Sequence, residues 1–79
     1  MSNYMEVMAE ARGYVKGAGD CWFDLREELK RMRLVLPDTP QRDAYLKALE
    51  VCVSMAWNRY QEYRDDFIAS YGESQLEEE

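Results

Sequence analysis

Counting back from Leu36 in alternating steps of four and three gives Leu36, Met32, Leu29, Leu25, Trp22, Ala18, Val15, Ala11, Met8 and Tyr4, and every one of these positions is apolar. Because an α-helix turns once every 3.6 residues, such a series forms one stripe along a helix, and the first half of the chain is committed to a helix that buries one face. Gly13, Gly17 and Gly19 oppose this, each costing about 1 kcal/mol relative to alanine in a helix interior. The phase set by Trp22 to Leu36 nevertheless continues through them without a slip, which predicts one long helix over about residues 3–35. Asn3 and Glu6 stand at the spacing of a capping box at its start. The competing reading ends a short helix at Lys16 and begins another capped by Asp20.

The stretch "RLVLPDTPQRDAY", Arg33 to Tyr45, holds both prolines of the chain. Pro37 disfavours helical geometry at Leu36, and Thr39 followed by Pro40 pairs a good N-cap with the residue best suited to the first helical position. Residues 36–39 are therefore a corner. A second helix follows over about 40–71, with Gly72 as its stop. Its own seam is Leu46, Leu49, Val53, Ala56, Tyr60, Tyr63 and Phe67. So short a connection between helices of similar length makes the fold all-α, a long antiparallel helical hairpin.

One segment exceeds what a hairpin can bury. In "AYLKALEVCVSMAW", Ala44 to Trp57, only Lys47, Glu50 and Ser54 are polar, so this part of the helix is apolar around most of its circumference and needs cover on more than one side. A chain of 79 residues is also one small domain, whose core alone rarely supplies more than about 3–5 kcal/mol. A homodimer in which two hairpins form a four-helix bundle answers both needs. Gly13 and Gly17, one turn apart, would let another helix come close.

Charge and composition narrow the function. Hydrophobic residues make up 47% and charged residues 33%, too apolar for a disordered chain, and no apolar run approaches a membrane span. The start "MSNYMEVMAE" lacks the basic and apolar regions of a signal peptide, which makes the cytoplasm the expected compartment. The net charge of −6 is concentrated in residues 73–79, "ESQLEEE", which hold four acids; the first 72 residues carry 12 acids against 10 bases. That run has the composition of a frayed, solubilising tail. Lys30, Arg31 and Arg33 fall at the end of the first helix, where positive charge complements its dipole, so direct nucleic-acid binding is not expected.

No histidine occurs anywhere, which removes the commonest general base and transition-metal ligand. Cys21 and Cys52 have no imidazole to activate them and suit small buried hydrophobic positions better than a bridge in a reducing compartment. Asp24 with Glu28 and Glu62 with Asp66 are carboxylates one turn apart, but without a Glu-x-x-His element they make no di-iron site. "GYVKGAG" lacks phosphate-loop spacing. The sequence thus offers no catalytic residue, no metal site and no cofactor motif.

Aromatic residues carry the positive signal. Trp22, Leu25, Leu29, Leu46, Leu49, Val53, Tyr60 and Phe67 are the expected core or dimer positions. On the second helix Trp57, Arg64, Ile68 and Tyr71 recur at seven, four and three residues along one stripe off the seam, and these residue types favour a partner-binding face. Their polar neighbours would rim it.

"AGDCWFDL" in the approach to the first seam, the polar corner, and "QRDAYLKALEVCVSMAWNRY" in the second helix together cover about residues 18–70. In these the chain resembles the very small helical inhibitors encoded by phages of Gram-negative bacteria, the quorum-sensing anti-activator and pilus-assembly-ATPase inhibitor group. The resemblance implies a homodimer that binds and disables a larger host protein such as a regulator, a motor ATPase or a defence component. The longer N-terminal arm and the acidic tail depart from that compact pattern, and no functional residue is carried over. The alternative from composition is an acidic nucleic-acid mimic of the anti-CRISPR or anti-restriction kind.

Overall fold

The computed structural model describes residues 3–76. It is all-helical: α1 runs Tyr4–Val35, α2 runs Pro40–Tyr71, and a short 3-10 turn, Glu73–Gln75, follows. At about 1.5 Å rise per residue each helix spans about 48 Å, and the molecule measures 58 × 21 × 19 Å.

The ends of the helices follow from local chemistry. Asn3 caps α1 by accepting the Glu6 amide through its side chain at 3.1 Å. Leu36, at φ −77° and ψ 139°, is extended as its position before Pro37 requires. Thr39 is extended too, its hydroxyl accepts the Arg42 amide at 3.2 Å, and Pro40 opens α2. Arg42 then reaches back, donating from Nη2 to the Arg33 carbonyl at 3.1 Å. That carbonyl belongs to the last turn of α1, where no helical amide is available, so α2 satisfies an orphan of α1. At the far end Gly72 takes φ 96° and ψ 149°, a conformation open almost only to glycine, and its amide still reaches the Ile68 carbonyl at 2.9 Å.

α1 is continuous through all three of its glycines, so the restart at Asp20 does not occur. Gly19 is the one of the three set against a neighbour, the ring of Tyr60. Gly13 and Gly17 face open space, and their propensity cost is offset by the packing of Val15 and Ala18 on the seam side.

The helices run antiparallel, as a ladder of aromatic contacts shows. Trp22 lies 4.6 Å from Trp57 and 6.5 Å from Tyr60 between ring centroids, Tyr14 stacks on Tyr63 at 6.2 Å, and Tyr4 meets Tyr71 edge-on at 5.6 Å. Near the corner an exposed ion pair, Arg33 to Glu50 at 2.9 Å, spans the two helices. It contributes little to stability, as exposed pairs do.

The core is thin. Met8, Val15, Leu29, Leu46 and Phe67 are buried, while Trp22, Leu25, Leu49, Val53 and Tyr60 are half-buried and Tyr63 is exposed. Met8, Val15 and Phe67 form one cluster, with Ala11, Tyr60, Tyr71 and Leu76 packed around it.

Two expectations are corrected. The tail expected to fray instead folds back over residues 73–76: Leu76 packs on the Met8, Val15 and Phe67 cluster, and Arg12 Nε donates to the Gln75 carbonyl at 2.8 Å. Residues 77–79 of that run lie outside the described residues. Cys21 and Cys52, expected to be buried, are both exposed free thiols. Each stands one residue ahead of a seam position, Trp22 or Val53, and one residue along a helix is a rotation of about 100° away from the core.

Candidate partner-binding surface

The hairpin covers one side of α2 and leaves the other open. Ala44, Ala48, Val51, Cys52 and Met55 are all exposed, with Val51 at 54% and Met55 at 62%. Their spacing of four, three and four residues, with Cys52 beside Val51, makes one apolar stripe down the outer side of α2. It lies within the segment Ala44 to Trp57 that a single arm cannot cover. Seen in the isolated hairpin, Leu46, Leu49 and Val53 face α1 while this stripe faces outward.

The residues of the proposed aromatic stripe have distinct settings. Trp57 keeps 37% exposure yet packs on Trp22 and lies 5.6 Å from Tyr60. Arg26 stands over the Trp22 ring, its guanidinium carbon 5.5 Å from the centroid, and closes that cluster with a cation–π contact. Tyr71 is half-buried between Tyr4 and Phe67, 4.9 Å from the latter. Ile68 is half-buried. Arg64, also half-buried, points toward Glu73, its Nη2 4.0 Å from a carboxylate oxygen. The four therefore share one side of α2, but Trp57 and Tyr71 also hold the two helices together.

Arg64 opens onto a feature that the spacing of the sequence did not reveal. A groove of about 560 Å³ runs between α1 and the C-terminal half of α2, lined by Arg12, Gly13, Lys16, Asp20, Tyr60 and Arg64, and the 3-10 turn forms its end wall through Glu73 and Leu76. Arg12 and Lys16 are one turn apart on α1. The available signal was Leu76, a single apolar residue four positions past a helix-stopping glycine inside an acidic run, since an apolar residue beyond such a stop often packs back on the helix.

A second, shallower groove on another side of the hairpin takes in Cys21, Cys52, Met55, Ala56, Arg59 and Glu62. The stacked pair Tyr14 and Tyr63, exposed by 59% and 42%, is a further uncovered aromatic surface.

Among the described residues, no group of three Cys, Asp or Glu side chains stands close enough to hold a metal ion. No helix there is long and apolar enough to cross a membrane. Compared with protein families, curated proteins and solved structures, the chain matches none of them.

Proposed function

We propose that this protein is a small non-enzymatic inhibitor that acts by docking a helical aromatic face on a larger protein of its host, and that it does so as a homodimer. The observation that carries the reading is the mismatch between core and surface. Among the described residues five hydrophobic ones are buried, whereas twelve large ones are exposed, Val51, Met55, Phe23, Tyr14 and Tyr45 among them. A chain this short does not hold so much apolar surface in water without a use for it, because each exposed group forgoes burial that the small core needs.

The uncovered surface divides naturally. The stripe from Ala44 to Met55 is aliphatic, with small side chains that let a second helix come close, and suits self-association into a four-helix bundle. The half of α2 from Trp57 to Tyr71 combines aromatic rings with Arg64 and charged neighbours, the composition of an interface with a few anchors and a polar rim. The resemblance to phage-encoded helical inhibitors points the same way, toward a cytoplasmic host regulator, motor ATPase or defence component as the target.

The test is capture of the target from host extract by the tagged protein, identification of the captured protein, and a salt titration of the purified complex. Aromatic burial predicts affinity that changes little with ionic strength. An affinity that falls steeply with salt, together with displacement of the captured protein by added nucleic acid, would favour acidic mimicry of nucleic acid instead.

A further inference from the structure

In a chain with net charge −6, the groove beside Arg64 is a local concentration of positive charge. Arg12, Lys16 and Arg64 line it against Asp20 and the Glu73 of the 3-10 turn. Glu73 belongs to the segment that closes the groove, so without that segment three cations face one acid. The same segment contributes Leu76 to the cluster of Met8, Val15 and Phe67, and its removal would open an apolar socket next to the cations. The turn is thus held by three kinds of contact at once: a carboxylate facing Arg64, a backbone carbonyl accepting from Arg12, and a leucine in the socket. The ion pair is weak, since the Arg64 to Glu73 separation is 4.0 Å and both side chains are substantially exposed, which leaves one hydrogen bond and one leucine to hold the turn. A three-residue turn held by so few contacts can exchange with a competitor of the same chemistry. Gly13, whose missing Cβ would meet nothing within 4 Å, leaves room in the groove for a longer occupant.

We propose that this groove docks an acidic segment of the partner protein carrying a leucine three residues after a glutamate, and that Glu73 to Leu76 occupy it in the free protein as a built-in competitor. The assignment rests on the reading of the protein as a protein-binding inhibitor and names the chemistry that its Arg64 side recognises. Charge complementarity selects an acidic segment, and the socket selects the leucine. The 3-10 turn shows that a peptide can present both at this spacing.

The probe is a fluorescein-labelled peptide of sequence GESQLEEE, copying residues 72–79, and a second peptide with alanine in place of the leucine. Anisotropy is measured with the full-length protein and with a full-length variant carrying Glu73→Ala and Leu76→Ala, whose internal competitor is weakened. The leucine peptide should bind the variant about tenfold more tightly than the wild type, because the open groove is no longer a minor state. The alanine peptide should bind the variant about tenfold more weakly than the leucine peptide. Adding Arg12→Glu or Arg64→Glu should abolish binding. Leu76→Ser alone gives the same comparison if the double variant loses its helical circular dichroism. Equal binding of both peptides, or displacement by inorganic phosphate as readily as by unlabelled peptide, would show a bare anion site and overturn the proposal. No binding to a folded, competitor-weakened variant overturns it as well; if target capture and the dimer persist in that case, the broader reading of the protein stands.

Discussion

The Cβ that Gly19 lacks would lie 3.1 Å from Cε1 of Tyr60. This contact brings α1 close to α2 where Tyr60 also stacks with Trp22, and it separates Gly19 from Gly13 and Gly17, which face open space.

The three glycines should respond to alanine with different signs. Gly13→Ala and Gly17→Ala should each stabilise the protein by about 0.5–1 kcal/mol, since alanine has the better helix propensity and meets nothing. Gly19→Ala should destabilise it by about 1 kcal/mol, the ring displacement outweighing the propensity gain. Urea midpoints measured by circular dichroism decide this, and equal stabilisation at all three positions would contradict the packing of Gly19 on Tyr60.

Charge placed on the two sides of α2 should have separable effects. Val51 is exposed on the outer stripe, so Val51→Asp should halve the mass seen by light scattering and leave the helices formed. Leu49 and Val53 face α1, so Leu49→Asp or Val53→Asp should unfold the chain through an unpaired charge in the seam. A wild-type protein that remains monomeric and folded at micromolar concentration would rule out the dimer.

The thiols report on the same surface. Cys21 and Cys52 are both exposed in the hairpin, so a disulfide reagent should modify both without denaturant. Cys52 adjoins the outer stripe and Cys21 lines the same groove, so modification of both should slow as protein concentration rises and the dimer covers that side. Resistance of both thiols at high dilution would mean that the hairpin buries them after all. Changing both to alanine should leave target binding within a few-fold of wild type.

Trp57→Ala should act twice. By removing the contact with Trp22 it should lower the stability of the free protein by about 2 kcal/mol, less than a fully buried tryptophan would because Trp57 keeps 37% exposure. By removing an interface anchor it should also weaken target binding by about 2 kcal/mol. Calorimetric titration at a temperature where the variant is fully folded separates the two, and unchanged affinity there would remove Trp57 from the partner-binding face.

Thr39→Ala should cost about 1 kcal/mol through loss of the hydroxyl that accepts the Arg42 amide. Since Arg42 also holds the Arg33 carbonyl, amide exchange should quicken at the end of α1 as well as at the start of α2. Exchange confined to α2 would show that the corner does not couple the helices.

Pro37, Thr39, Pro40 and Gly72 determine where the helices stop because each acts through its own backbone or its nearest amides, and such effects need no knowledge of the rest of the molecule. The seams were legible for a related reason, since a helix converts spacing directly into a shared face. What no local rule supplies is the register of one helix against the other, the choice of which residue of α1 stands beside which residue of α2. That choice sets Tyr60 against Gly19, brings Trp57 from outside the seam onto Trp22, and opens the socket that Leu76 fills from beyond the stop at Gly72. These contacts join residues far apart in the chain, and their energies depend on the complementary shapes of both helices together, so only the tertiary structure decided them.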